Sequence, residues 1–345
     1  MKRFRSISLR LLLPVATGLL AWSYASAHHS QAPYDMDSEV TIEGKIVDLE
    51  WRNPHIAMTL EVTGQDGKPF RQEIELASVS ELRGLGVDKD AIPIGEPVAL
   101  RAHPGKRDPE ARAFGLALTK SDGTRIPLHP FAGFDIVPDD REKADSLAGR
   151  WAPSGERLPQ IFGVMMSWPY TEAANAALQD TANREGSSLG ICADYPPPLL
   201  SIFPDLREIE IGDSTVSMRF EAQGQNLERV VRMNETEHPA GIEPSLLGDS
   251  IGWWEDETLV VDTNAFTPHP HGAFAWVPSG PDKHLVERFT LTEDRLHLRY
   301  EVTMEDPESL TGPAKLDMLW DYRPNLAPSG VACDPEIAER LLHEE

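Results

Sequence analysis

The clearest indication of the fold of the N-terminal half is VTIEGKIVDLEWRNPHIAMTLEVT, residues 40–63. Apolar and polar side chains alternate over residues 40–51 and again over residues 56–63, which is typical of β-strands with one buried face. The NPH triplet between them interrupts the alternation, because proline cannot donate to a strand ladder. The stretch therefore predicts two neighbouring strands joined by a turn that contains His55.

The same kind of pattern continues to residue 130. Further strands are predicted at residues 69–77, 96–104, 111–120 and 124–130. A short helix is predicted at residues 78–86, because Ser78 with Glu81 three residues later has the spacing of a capping box. Three strands, a short helix and more strands are the order of a small OB-like barrel.

A second β region begins at Leu206. Its alternating segments predict about seven or eight strands, and the short turns between them indicate antiparallel neighbours. We expect an antiparallel β-barrel or curved sheet, lipocalin-like in character. The predicted organisation of this mainly β chain is a signal peptide at 1–27, an OB-like barrel at 28–132, a mixed linker at 133–200 with a helix near 171–186, and an antiparallel barrel domain at 201–345.

The first 27 residues have the three parts of a secretory signal peptide. Basic residues precede an apolar run at 11–22, and Ala25-Ser26-Ala27 supplies the small-x-small cleavage pattern. The apolar run is shorter than the roughly 20 residues of a membrane span, although an uncleaved anchor is an alternative. We expect a periplasmic or secreted chain that begins at His28 and has no membrane span after cleavage.

Charge and cysteine content limit the possible partners. The formal net charge is −24 and becomes −28 once four basic residues leave with the signal peptide, which argues against nucleic acid as a partner. The two cysteines, Cys192 and Cys333, suggest one disulfide in an oxidising compartment, and two free buried thiols are the alternative. Neither lies in a CxxC pair of the kind found in zinc or redox sites.

Several of these segments resemble a known family. The stretches AHHSQAPYDMDSEVTIEGKIVDLEWRNPH (27–55), IELASVSELRGLGVDKDAIPIGEPV (74–98) and DGTRIPL (122–128) resemble, over residues 27–130, an exported bacterial family of unknown function with an HHS start and an NPH turn. The second half resembles a companion β region marked by GDSIGWWEDETLVVDTNAF, in which Asp256-Glu257 replaces the usual Gly-Asp. The resemblance implies the β fold, export and the disulfide, and it brings no known activity.

Cleavage after Ala27 would create a metal-binding group. An N-terminal histidine can chelate a metal through its α-amine and ring Nδ1, and a second imidazole completes a T-shaped nitrogen set that suits copper. We predict His28 and His55 as these ligands, with His29 as a competing ligand and with His103 and His129 at other strand ends. The alternative is a structural role, in which the HHS segment is solvated and His55 caps its turn.

The C-terminal half offers two weaker hypotheses. His269 and His271, with His238 or His284, could form a second metal site, whereas an ordinary loop is the alternative. Aromatic residues including Trp253, Trp254, Trp276 and Trp320 could line a barrel that carries, or acts on, an apolar small molecule, or they could be ordinary core. No recognised catalytic motif is present, so we predict a binding protein, without catalytic residues, for a metal ion or a small apolar ligand.

Overall fold

A computed structural model describes residues 33–137, 142–180, 192, 194–222 and 224–336. The chain is mainly β, as the alternating pattern predicts, and its strands form two closed barrels. The predicted signal peptide, together with His28 and His29, lies outside the described residues. The proposed division at residues 132 and 200 stays a prediction.

The first barrel has five strands in the ring order β1-β2-β3-β5-β4. Helix α1 connects β3 to β4, so both the ring order and the helix position are those of an OB-like barrel. The predicted capping box is present, because Ser78 Oγ accepts from Glu81 N while the Glu81 carboxylate accepts from Ser78 N. The elements are β1 Val40–Glu50, β2 Ala57–Thr63, β3 Pro69–Glu75, α1 Val79–Gly84, β4 Pro97–Pro104, β5 Arg112–Lys120 and the short β6 Arg125–Pro127.

The second barrel has nine strands in the ring order β7-β8-β9-β10-β11-β12-β15-β16-β17. Its first strand, β7, lies within the region predicted as linker, where LAGRW is too short to show an alternation. The elements are β7 Gly149–Pro153, β8 Arg207–Ile211, β9 Thr215–Ala222, β10 Gln225–Met233, β11 Asp249–Glu255, β12 Thr258–Asn264, β15 His284–Leu291, β16 His297–Glu305 and β17 Ala314–Tyr322.

Each barrel contains one parallel strand pair among otherwise antiparallel neighbours. The pairs are β3–β5 in the first barrel and β10–β11 in the second. Strand directions cannot alternate all the way around a closed ring with an odd number of strands, so one parallel pair is required in each. Parallel neighbours need a longer connection than a hairpin, which the chain supplies with α1 and β4 in the first barrel and with residues 234–248 in the second.

Two helices and a small hairpin lie between or beside the barrel strands. They are α2 Leu158–Met166, α3 Glu172–Gln179, β13 His269–Phe274 and β14 Val277–Ser279. Helix α3 begins where the sequence predicts, since Thr171 Oγ1 accepts from Ala174 N. Over the described ranges, no helix is both long and apolar enough to cross a membrane.

The cores of the barrels follow the inward positions of the strands. Buried aliphatic side chains of β1–β5 and α1 fill the first barrel, and buried aromatic and aliphatic side chains fill the second. Trp320 belongs to that second core, but Trp253 and Trp254 are 39% and 43% exposed near the end of β11 and do not line it. Of the tryptophans predicted to line the barrel, Trp253 and Trp254 are therefore not part of its interior.

The C-terminal segment returns to the first barrel after β17. Asn53 Nδ2 donates to Val331 O at 2.6 Å, and Asp334 N donates to Asn53 O at 2.9 Å. Cys192 and Cys333 form the predicted disulfide, with their Cα atoms 5.6 Å apart. Residues 323–334, here called the C-terminal strap, therefore contact the first barrel at Asn53 and are covalently linked to Cys192.

Candidate metal centre at the end of the first barrel

His55 lies in the turn between β1 and β2, directly after Asn53 and Pro54. Its Nδ1 lies 3.2 Å from Leu76 O and 3.4 Å from Glu75 Oε1, both at the end of β3. Because a carbonyl oxygen can only accept, the contact with Leu76 places the ring proton on Nδ1 and leaves Nε2 as the basic nitrogen. This is the arrangement in which proteins commonly hold a histidine that ligates a metal through Nε2.

The first described residues of the chain lie beside His55. Tyr34 is buried, and its hydroxyl donates to Glu75 Oε2 at 2.6 Å, while Glu75 Oε1 faces His55. The main chain is fixed here too, because Asp35 N donates to Pro104 O and Lys106 N donates to Pro33 O. Glu75 therefore joins the segment that follows His28 and His29 to the turn that contains His55.

Two other histidines lie at the same end of the barrel. His103 Nδ1 donates to Ser38 O at 2.7 Å, so His103 has the same proton placement as His55. His129 differs, because its Nδ1 accepts from Phe131 N at 3.2 Å and its proton must then sit on Nε2. Burial, followed by the charges of His55 and His103, lowers the pKa of His129 to about 3. His103 is thus a candidate ligand and His129 is a neutral capping residue.

The predicted second histidine cluster does not gather into one site. His269 Nδ1 accepts from His271 N, and His271 Nδ1 accepts from Trp276 N, each at 3.1 Å. His238 instead bridges Asp249 and Asp262 at 2.7 and 2.8 Å, and His284 also contacts Asp262. No three His, Cys, Asp or Glu residues are arranged to hold a metal anywhere in the ranges that the structure describes.

A buried polar network in the second barrel was absent from the sequence predictions. Arg229 Nη2 donates to Glu287 Oε2 at 2.5 Å, and Tyr300 Oη donates to Glu287 Oε1 at 2.9 Å. The sequence did contain a signal, because Glu287 lies between the inward residues Leu285 and Phe289 at strand spacing. A charged residue at an inward position must be paired or bound when it is buried.

The first barrel resembles a protein family whose function is unknown. Residues 18–114 match the model of a family of unknown function (DUF6152), which covers much of the first barrel and brings no activity. No curated protein matches the chain. The crystal structure of the Ifi202 HINa domain in complex with 20bp dsDNA covers 74% of this chain and 97% of that chain, at 8% identity and a TM-score of 0.14. A TM-score this low carries no argument about fold or ligand.

Proposed function

We propose that the protein is a periplasmic or secreted binding protein whose first barrel holds a copper ion between His28 and His55. The observation that carries the proposal is the Nδ1 contact of His55 with Leu76 O, with the Glu75 carboxylate alongside. Such outer contacts fix the orientation of a ligating imidazole. The disulfide between Cys192 and Cys333 supports export, because disulfides persist mainly in oxidising compartments.

The position of Tyr34 makes the proposed ligand set physically reachable. His28 precedes Tyr34 by six residues, which span at most about 20 Å when fully extended. Tyr34 itself shares Glu75 with His55. An N-terminal histidine released by cleavage after Ala27 would therefore lie within chain reach of the His55 ring.

The proposed ligands match the chemistry of copper. The α-amine and Nδ1 of His28 would supply two nitrogens, and Nε2 of His55 would supply a third. Such a set of nitrogen ligands binds Cu(II) more tightly than other divalent first-row metals. An α-amine has a pKa near 8, so it loses its proton to a metal at modest cost. His29 is the competing N-terminal ligand, and His103 is the alternative second imidazole.

Copper titration of protein that begins at His28 tests this proposal. We expect submicromolar Cu(II) binding and an electron paramagnetic resonance spectrum with nitrogen ligands. His55→Ala should weaken binding at least tenfold, since it removes one of three ligands. His284→Ala is the matched control, because it removes a histidine from the second barrel.

A second comparison separates this site from adventitious binding by histidine. One extra glycine before His28 moves the α-amine away from the ring and should abolish the tight binding. If the extended protein binds Cu(II) as tightly as the processed protein, the N-terminal histidine is not a ligand and the proposal is wrong.

A further inference from the structure

Residues 234–248 connect β10 to β11 on the outside of the second barrel. The two strands are parallel neighbours, so the chain must run back along the barrel before β11 can begin. The second half of this connection is tied to the segment after β12, because Ser245 N donates to Ala265 O and Thr267 N donates to Ser245 O. Within the described ranges, no backbone hydrogen bond joins residues 235–244 to a barrel strand. The first half therefore depends on its side chains for attachment.

His238 makes the closest side-chain contacts between this first half and the barrel. Its Nδ1 lies 2.7 Å from Asp249 Oδ2, on β11, and its Nε2 lies 2.8 Å from Asp262 Oδ1, on β12. Most residues from 234 to 244 are exposed, whereas His238 is partly buried. One imidazole ring thus joins the connection to two neighbouring strands.

The two contacts determine how many protons the ring carries. A neutral imidazole has one N–H donor and one lone pair, whereas an ionised carboxylate can only accept. Hydrogen bonding from Arg232 lowers the pKa of Asp249. Burial acts to raise the pKa of Asp262, but hydrogen bonds from His284 and His238 outweigh it and lower that pKa. Both carboxyl groups are therefore ionised near neutral pH, and His238 can donate to both only as an imidazolium ion.

The other groups around His238 do not need a second imidazole proton. Arg232 Nη2 lies 3.0 Å from Asp249 Oδ2, and His284 Nε2 lies 2.9 Å from Asp262 Oδ2. Since the other ring nitrogen of His284 is 3.9 Å from the nearest carboxylate oxygen, a neutral His284 can still make its bond. The charged groups that face His238 are Arg232 of β10, Glu235 of the connection, Asp249 of β11, Asp262 of β12, His284 of β15 and Glu305 of β16.

The outer face beside His238 carries a buried aliphatic side chain. Ser250 faces the barrel interior, where its Oγ accepts from Arg229 Nε at 2.9 Å, so the next residue of β11, Ile251, points outward. Ile251 is paired with Asp262 in the strand register and is only 4% exposed. An outward side chain of a barrel strand is buried only when another part of the chain covers it. The connection that carries His238 supplies that cover.

We propose that residues 234–244 form a latch that is closed at acidic pH and opens as the pH rises through neutrality, uncovering Ile251 on the outer face of β11. While both ring nitrogens of His238 are protonated, the ring joins the connection to β11 and β12. Imidazole is the side chain whose charge ordinarily changes between about pH 5 and 8. Loss of one proton to solvent removes a hydrogen bond and turns a lone pair towards a carboxylate oxygen. This latch is independent of copper binding by the first barrel.

Hydrogen exchange of the full chain, measured by mass spectrometry, tests the latch. After correction for the intrinsic pH dependence of exchange, amides of residues 235–244 should exchange about tenfold or more faster at about pH 8 than at about pH 5.5. The amides of β9 provide the reference, because a strand of the barrel core reports the stability of the whole barrel. Normalising to β9 separates opening of the latch from any change in global stability.

Two variants separate the ring protons of His238 from other effects of pH. His238→Ala removes the attachment, so residues 235–244 should exchange fast at both pH values. Asp262→Asn keeps an oxygen that accepts from His284 and supplies an N–H that a neutral His238 can accept, so the latch should stay closed at both pH values. His297→Ala is the matched control, because it removes a histidine that contacts one carboxylate, Asp321, elsewhere on the barrel, and it should keep the wild-type pH dependence.

Three results would overturn the proposal. The first is equal normalised exchange of residues 235–244 in the wild type at the two pH values. The second is a wild-type pH dependence in His238→Ala, which lacks the ring that must lose the proton. The third is opening of Asp262→Asn at about pH 8 to the same extent as the wild type, and this result decides the question if His238→Ala fails to fold.

Discussion

Asn53 is a single side chain that contacts distant parts of the molecule. It is fully buried, its Oδ1 accepts from Val79 N at 2.8 Å and its Nδ2 donates to Val331 O at 2.6 Å. The NPH turn places His55 beside the end of β3. The turn also joins helix α1 to the C-terminal strap, and those partners are 26 and 278 residues away.

Asn53→Ala should destabilise the protein strongly. It leaves the Val79 N–H and the Val331 carbonyl without their partner, and unsatisfied buried groups cost about 1–3 kcal/mol each. We expect the free energy of unfolding, measured with urea, to fall by roughly 2–4 kcal/mol. Asn226→Ala, at an exposed position of β10, is the control and should change stability by less than about 0.5 kcal/mol. A similar small change in Asn53→Ala would show that the strap contact is dispensable.

Residue patterns predicted the candidate metal ligands His28, His55 and His29, but not the surroundings of His55. His55 follows from the NPH turn, whereas the contacts of Tyr34 and Glu75 join residues 41 positions apart. The proton positions on His103 and His129 depend on which backbone group each ring meets, and a sequence pattern does not contain that information. Only the folded barrel separates His103, as a candidate ligand, from His129.

At the element scale, alternation predicted most strands, because it reports burial of one face directly. The strands from β1 to β6 begin and end within a few residues of the predicted bounds. Alternation did not reveal β7, the β13–β14 hairpin or the parallel β10–β11 pair. Strand β7 is too short for a pattern, and the parallel pair follows from ring closure, which is a property of the whole barrel.

Glu287→Gln tests the buried ion pair of the second barrel. The change leaves the Arg229 charge buried without its carboxylate, and breaking such a pair costs about 3–5 kcal/mol. The double variant Arg229→Met with Glu287→Leu removes both charges. Its free energy of unfolding should lie within about 1–2 kcal/mol of the wild-type value. Chemical denaturation of both variants checks this.

An exposed pair provides the matched control for that test. Glu210→Gln breaks the contact of Glu210 with Arg219 on the barrel surface and should leave the free energy of unfolding nearly unchanged, because solvent screens an exposed ion pair. If Glu287→Gln lowered the free energy of unfolding no more than Glu210→Gln does, the buried pair would not stabilise the barrel.

At the scale of the whole molecule, the two barrels meet where α1 approaches the segment before β8. A Cβ atom on Gly84 would lie 1.5 Å from Pro204 O, so this position requires glycine. Asp205 and Glu81 are buried at the same junction, and burial raises the pKa of both carboxyl groups. The junction therefore favours protonated acids.

The raised pKa of Asp205 predicts a loss of stability with rising pH. Between the ordinary aspartate pKa of 3.8 and the folded-state pKa of about 8, the folded state binds more protons than the unfolded state. The free energy of unfolding should therefore fall from pH 5 to pH 8. Asp205→Asn should flatten this fall in urea unfolding, and Asp66→Asn, on an exposed turn, should not. An equal slope in Asp205→Asn and the wild type would rule out Asp205 as its source.

The C-terminal strap also sets an order of assembly. A ribosome makes the chain from its N-terminus, so the strands of the first barrel exist long before Val331 and Cys333 emerge. The hydrogen bond between Asn53 and Val331 can therefore form only after Val331 has been synthesised. A chain that stops short of residue 331 lacks this contact, so the contact distinguishes chains that include Val331 from shorter ones.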